Sequence, residues 1–236
     1  MKNNVIVVFS SHFTNEENEK FIKHINNTIG VKHKVVCYQF SLPQVYNTAI
    51  KEYNDENSIM VFLHCDLIIK TFNWGKILLN KFNNSNYSII GVAGTTFLDK
   101  SGCWWTDRSK MLGIVSHTNG VSEWVNEYSP ERKGVITPVI LIDGLFMAVD
   151  CNNIEHKFNL NYGKYHYYDV VFSVDNYLED VNIGVTTSIR VLHKSVGQTN
   201  QSWEDNRQKF ASEYKLPIRH VSEDKLRVLI CCQYVK

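Results

Sequence analysis

The chain has 236 residues, 44% of them hydrophobic and 21% charged, a composition near the globular average that argues against disorder, collagen and coiled coil. Twenty-five basic against 24 acidic residues leave a net charge of +1, so no overall positive field exists to hold a nucleic-acid backbone. No apolar run approaches the ~18 residues needed to span a bilayer, and Met1–Val5 leads straight into a short strand without a signal-peptide core, which points to a protein that stays inside the cell. Val5–Phe9 is a continuous apolar, β-branched run and reads as a strand covered on both faces. Thr14 with Glu17 forms a capping-box pattern that opens a helix ending at Gly30. A second strand is expected over 34–40, a helix from Leu42-Pro43 through Tyr53, and a third buried strand over 59–63 that ends at His64-Cys65-Asp66. Strand–helix–strand–helix–strand within 66 residues implies right-handed βαβ units in an open α/β sheet.

Beyond Asp66, Trp74–Phe82 reads as a helix and 88–94 as a strand. From Thr95 to Thr137 regularity fades into a long irregular region holding Trp104, Trp105, Asp107, Arg108, His117 and Trp124, and loops of that length are usually functional. Val139–Ile142 is a strand ending at Asp143-Gly144, with an apolar continuation to Val149. A tyrosine-rich loop closes with Tyr165-His166-Tyr167-Tyr168-Asp169, followed by a helix over 170–178. A strand is expected to begin at 182–186 and to extend through 189–192 to His193; a helix follows over 203–214, and 226–232 is a last short apolar segment. The six cysteines, at 37, 65, 103, 151, 231 and 232, form no C-x-x-C pair and read as reduced, mostly buried thiols.

Polar groups recur where apolar strands end: Ser10 and Ser11, His64 and Asp66, Gly94, Asp143, and His193. In open α/β sheets, ligands sit in the crevice beyond the carboxyl ends of the strands, so one shared site is expected. Neither GxGxxG nor GxxxxGK[ST] occurs, which removes the usual dinucleotide fingerprint and the P-loop. Asp66 follows an apolar strand, where a carboxylate must cap a turn, find a cation or meet a metal. His193 is either a hydrogen-bonded structural imidazole or a nitrogen ligand better suited to Mn²⁺ than to Ca²⁺. Trp104 and Trp105 are either core aromatics or a wall for stacking a sugar.

Taken in order, His64-Cys65-Asp66, Trp74, Ile90-Gly91-Val92-Ala93-Gly94, Trp104-Trp105, Leu141-Ile142-Asp143-Gly144-Leu145, His166-Tyr167-Tyr168-Asp169 and Leu192-His193-Lys194-Ser195 resemble a group within the family 2 glycosyltransferases, closest to the subset related to the streptomycin-biosynthesis StrF protein. The resemblance covers about residues 5 to 215. It implies a GT-A fold, an open, mixed but mostly parallel sheet flanked by helices. About 1–94 would form a nucleotide-binding half, about 95–215 an acceptor-binding half, and 216–236 a tail. It implies inverting transfer of a sugar from a nucleoside diphosphate donor, UDP-sugar by default, to a glycan or lipid-linked acceptor in surface-glycan synthesis. That role would be cytoplasmic, with peripheral contact at the inner face of the membrane, and would not involve nucleic acid.

By the same resemblance Asp66 and His193 would hold Mn²⁺ or Mg²⁺, and Asp169 would be the general base. Asp143 and Gly144 would lie near donor sugar and acceptor, and Asn47 would shape the nucleotide pocket. Ser10, His64, Gly94, Trp105, His166 and Tyr168 complete the expected substrate contacts. Three departures stand out: His64 replaces the first Asp of the DxD motif, as in the StrF-like subset, Tyr168 replaces the Glu before the base, and Val171 stands at the second acidic position after it. Two rival readings follow, a catalytically inactive nucleotide-sugar-binding module and a sugar nucleotidyltransferase. The second is disfavoured because Ser10–Thr14 carries no Lys or Arg.

Overall fold

In the computed structural model, which describes residues 1–220 except Lys133, Val196 and Gln198, the first half alternates strand and helix as its pattern dictates. Strands β1 (Asn4–Ser10), β2 (His33–Tyr38) and β3 (Ser58–His64) pair in parallel, linked by helices α1 (Asn15–Thr28) and α2 (Leu42–Tyr53). Thr14 accepts the Glu17 N–H at 3.3 Å and the Glu17 carboxylate accepts the Thr14 N–H at 2.9 Å, so the capping box fixes the start of α1. Alternate residues of β1 and β3 serve two cores. Val5, Val7, Phe9, Val61 and Leu63 meet Phe21 and Ile25 of α1, while Ile6, Val8, Met60 and Phe62 meet Val45, Tyr46 and Ala49 of α2. This explains why both strands are apolar throughout.

The next elements are β4 (Leu67–Ile69), α3 (Trp74–Asn83), β5 (Ile89–Gly91), β6 (Ala93–Thr95), β7 (Phe97–Leu98), β8 (Met111–Thr118) and β9 (Glu123–Glu127). They are followed by β10 (Ile136–Pro138), β11 (Leu141–Ile142), β12 (Phe146–Val149), α4 (Tyr168–Leu178), β13 (Ile183–Thr186), β14 (Val191–His193), α5 (Gln201–Glu213) and β15 (Ile218–Arg219). The main sheet runs β10-β13-β5-β12-β3-β1-β2, and a second sheet runs β11-β6-β8-β14-β4 with β9 beside β8.

Several sequence expectations change here. Parallel pairing does not predominate across the whole main sheet, because β12 is antiparallel to both β3 and β5 and β10 is antiparallel to β13. The strand expected at 88–94 divides at Val92, with β5 in one sheet and β6 in the other. The crossing needs a small residue at Gly94, where a Cβ would run into the Leu141 carbonyl oxygen. The strand expected over 182–192 likewise divides into β13 and β14, one in each sheet. The region 95–137 is not irregular. It carries the β8–β9 hairpin, which pairs Thr118 with Glu123 and turns through 119–122 with Gly120 at φ +87°, a conformation that favours glycine. Its strands escaped notice because β9 is polar and largely exposed.

β2 stops at Tyr38 rather than Phe40, which is exposed. Among the described residues four cysteines are free. Cys103 is buried, Cys65 and Cys151 are half-buried, and Cys37 is exposed because β2 is an edge strand. The apolar segment 226–232, with Cys231 and Cys232, lies outside the described residues. Among the described residues no helix is long and apolar enough to cross a membrane.

Candidate active site

Three strand ends meet where the two sheets adjoin. β3 delivers His64, and the turn after it delivers Asp66. β4 then pairs antiparallel with β14, which sets Leu67 against His193 and lets the Lys194 N–H donate to the Asp66 carbonyl at 3.1 Å. His193 Nε2 lies 3.4 Å from Asp66 Oδ1 and 3.5 Å from His64 Nδ1. One ligand atom from each of the three side chains falls within 4.8 Å of the others. Burial alone would raise the Asp66 carboxyl, but the hydrogen bond and charge of His193, with His64 beside it, hold it well below the usual carboxylate range. Burial works to lower His193, and Asp66 outweighs it, so this imidazole is raised. His64 is lowered by burial and by the neighbouring His193.

The donor set fits a divalent cation. Ligand atoms ~2.1 Å from one ion lie ~3.0 Å apart at right angles and ~3.4 Å apart at tetrahedral angles, near the two separations observed. Two imidazoles with one carboxylate favour Mn²⁺ over Mg²⁺, which prefers an all-oxygen shell. For His64 Nδ1 to offer its lone pair, Nε2–H must donate to the Tyr168 hydroxyl oxygen, which lies 2.9 Å away.

Tyr168 opens α4, preceded by Tyr167 in the left-handed region at φ +63°. Asp169, in the first turn of α4, accepts the Gly144 N–H on Oδ2 at 2.8 Å. Gly144 follows Asp143 in the turn between β11 and β12, and the pairing of β12 with β3 sets that turn beside His64, whose N–H donates to Leu145 O at 3.2 Å. Asp143 Oδ1 accepts the Leu145 N–H at 3.1 Å. A side chain at Gly144 would collide with the Tyr168 ring and hydroxyl, so glycine is what lets the start of α4 and Asp169 approach this turn. Burial first, and the Asp143 charge second, push the Asp169 carboxyl up to about 7. A carboxylate tuned near neutral pH is what a general base requires.

The other expected residues engage different partners. Ser10 Oγ donates to Phe40 O at 2.7 Å, tying the ends of β1 and β2. Asn47 spends both amide atoms on the Phe158 backbone, at 2.7 and 3.0 Å, on the rim of a cavity of about 470 Å³ lined also by Phe40, Lys51 and Leu160. Gly94 is buried in the sheet crossing. Trp105 stands 42% exposed beside Trp203, and His166 is half-buried. Sequence reasoning did not assign His117 to the site. It is the register partner of His193 on β8, with ring centroids 5.7 Å apart, and stacks on Trp124. The signal was available: Asn119-Gly120 marks a turn, and the run 111–115 before it leads through Ser116 to His117.

The fold resembles that of the mannosyltransferase PcManGT from Pyrobaculum calidifontis, solved with GDP-Man and Mn²⁺, at TM-score 0.54 and 9% identity over 92% of this chain and 66% of that one. A197 from STIV aligns at TM-score 0.45 and 12% identity, covering 94% of this chain and 96% of that one. GalNAc-T7, solved with UDP, GalNAc and Mn²⁺, aligns at TM-score 0.48 and 12% identity, covering 86% and 45%. The chain thus spans about two thirds of the mannosyltransferase and less than half of GalNAc-T7. Comparison with curated proteins gives no match. A glycosyltransferase-like family matches residues 4–214. With the sheet order and the strand-end site, that match over most of the chain places it in this family: it is a family 2 glycosyltransferase of GT-A fold.

Proposed function

We propose that the chain transfers a sugar, with inversion, from a nucleoside diphosphate sugar to a hydroxyl acceptor, and that Asp169 is the base. The observation that carries this reading is the junction itself: a three-residue cation cluster joined through Tyr168 to a carboxyl poised near pH 7. His64, Asp66 and His193 would hold Mn²⁺ or Mg²⁺, which when bound neutralises the charge that develops on a diphosphate leaving group. Asp169 takes the proton of the acceptor hydroxyl as its oxygen attacks the anomeric carbon. Attack from the face opposite the diphosphate inverts that centre. The Gly144 N–H fixes one carboxylate oxygen and leaves the other to face the acceptor.

The GDP-Man bound by the similarly folded PcManGT supports this donor class, and the StrF-like order of motifs supports inversion and a role in surface-glycan assembly at the inner face of a membrane. The test is a panel of UDP-, GDP- and dTDP-sugars, screened with and without Mn²⁺ for thermal stabilisation, because a ligand that binds only the native state raises apparent stability. Proton NMR of the product then reads its anomeric configuration. Mn²⁺-dependent stabilisation with an inverted anomer is expected. A retained configuration would exclude Asp169 as the base of a single displacement.

A further inference from the structure

A second cavity, of about 520 Å³, shares no lining residue with the cation cluster or the Asp169 turn. Lys76, Asn80 and Lys81 line it from α3, Glu131 and Gly134 from the segment between β9 and β10, and Ser188 from the segment between β13 and β14. The last two segments are stitched together. Ile136 pairs with Thr186, and the Arg132 N–H donates to Thr187 Oγ1 at 2.9 Å. At Gly134 a Cβ would meet nothing within 4 Å, so the space beside that backbone is open.

Lys81 is the anomaly. It is only 6% exposed, yet its ammonium makes a single long hydrogen bond, 3.5 Å to the Val135 carbonyl oxygen. Among the described residues no carboxylate pairs with it: Glu131, the acidic residue of the same cavity, pairs with Arg190 at 3.1 Å. Lysine is almost never this buried unless paired, because an ammonium withdrawn from water needs a counter-charge and partners for its three protons. Burial accordingly pushes the Lys81 ammonium down. Further donors line the same space. Ser188 Oγ accepts the Gly134 N–H at 3.4 Å, which leaves its own proton to donate. Lys76 adds a second ammonium and Asn80 a side-chain amide. Donors of this number suit a tetrahedral oxyanion, which accepts on three or more oxygens, better than a planar carboxylate, which accepts on two.

We propose that this cavity binds a phosphate monoester, with Lys81 as the buried counter-charge and Lys76, Asn80 and Ser188 as further donors. The site does not depend on the transferase reading. A soluble phosphate ester and a lipid headgroup present the same chemistry, and the test separates them.

Inorganic phosphate, glycerol 3-phosphate and acetate are titrated into the metal-free full chain and followed by calorimetry and melting temperature. A phosphate probe should bind in preference to acetate and raise the melting temperature. Lys81→Met keeps an unbranched stem and should lose that affinity by roughly tenfold or more, while the melting temperature of the free variant should not fall. Lys76→Glu changes an exposed position and should weaken binding as much, so it carries the test should Lys81→Met fail to fold. Lys20→Met, on the exposed face of α1, should bind as the parent does. Flotation with vesicles of phosphatidylcholine and phosphatidic acid, lost in Lys81→Met, assigns the headgroup as the source. Soluble binding without flotation assigns a free ester. Binding of neither phosphate probe, binding that Lys81→Met leaves unchanged, or acetate bound as tightly as phosphate overturns the proposal.

Discussion

The Tyr168 hydroxyl lies 2.9 Å from His64 Nε2, and that contact joins the cation cluster to the helix that carries Asp169. By the resemblance, Tyr168 would stand where the family has a glutamate, and His64 where it has an aspartate. The two departures answer each other. A phenol oxygen accepts the Nε2–H of an imidazole and turns its other nitrogen toward Asp66 and His193, as partners beyond the ligand shell orient metal-binding histidines elsewhere.

Tyr168→Phe removes that acceptor and leaves the ring in place. Mn²⁺ affinity, measured by the paramagnetic signal of the free ion, should fall by roughly 10- to 100-fold. An unchanged affinity would show that His64 does not serve as a ligand through Nδ1.

His193 is raised by Asp66, so a proton competes with a cation for its nitrogen. Binding of Mn²⁺ must release that proton, and affinity should climb as pH rises through the His193 titration, then level off. Calorimetry in buffers of different ionisation enthalpy reads the proton directly. No proton release near neutral pH would remove His193 from the ligand set.

The Asp143 charge helps to lift Asp169 to about 7, after burial. In Asp143→Asn the acid limb of the kcat profile should therefore move to lower pH. An acid limb unmoved in that variant would assign it to another group.

The elevated Asp169 carboxyl also has a consequence for stability. Its folded value of about 7 lies above the ordinary 3.8, so between those two values the folded chain holds a proton that the unfolded chain has lost. Stability therefore falls as pH rises across that window, and the full penalty of a buried charge is present above it. Asp169→Asn escapes the penalty and still accepts the Gly144 N–H through its amide oxygen. Its melting temperature should match the wild type near pH 4 and exceed it above pH 7. A difference that stays flat with pH would contradict the burial argument.

Gly144→Ala places a methyl group against the Tyr168 hydroxyl and the Asp169 Cβ. Overpacking of this kind costs ~1–3 kcal/mol, so both turnover and melting temperature should drop. Normal turnover in a folded Gly144→Ala variant would show that the turn tolerates a wider spacing.

The strand ends were legible because doubly covered strands leave long apolar runs that stop abruptly. Val61-Phe62-Leu63 before His64, and Leu141-Ile142 before Asp143, are such places. The second sheet was hidden. β4, β6 and β14 have three residues each, too few for a period to register, and β9 alternates exposed with half-buried positions, with no buried residue to mark a core face. Ser10 and Asn47 show another limit. Their hydrogen bonds go to Phe40 and Phe158, backbone groups distant in sequence that no local pattern reveals. Trp203 sits on a predicted helix, but its contact with Trp105 depends on how α5 folds back over loop 99–106.

Sugar transfer as proposed depends on Asp169 acting as base beside a cation-bound donor. The direct measurement is single-turnover transfer or hydrolysis by Asp169→Asn with a nucleotide sugar and Mn²⁺, alongside the donor dissociation constant. The rate should fall by about 10²-fold or more while donor affinity stays at the wild-type value. A variant that turns over at the wild-type rate would contradict the assignment.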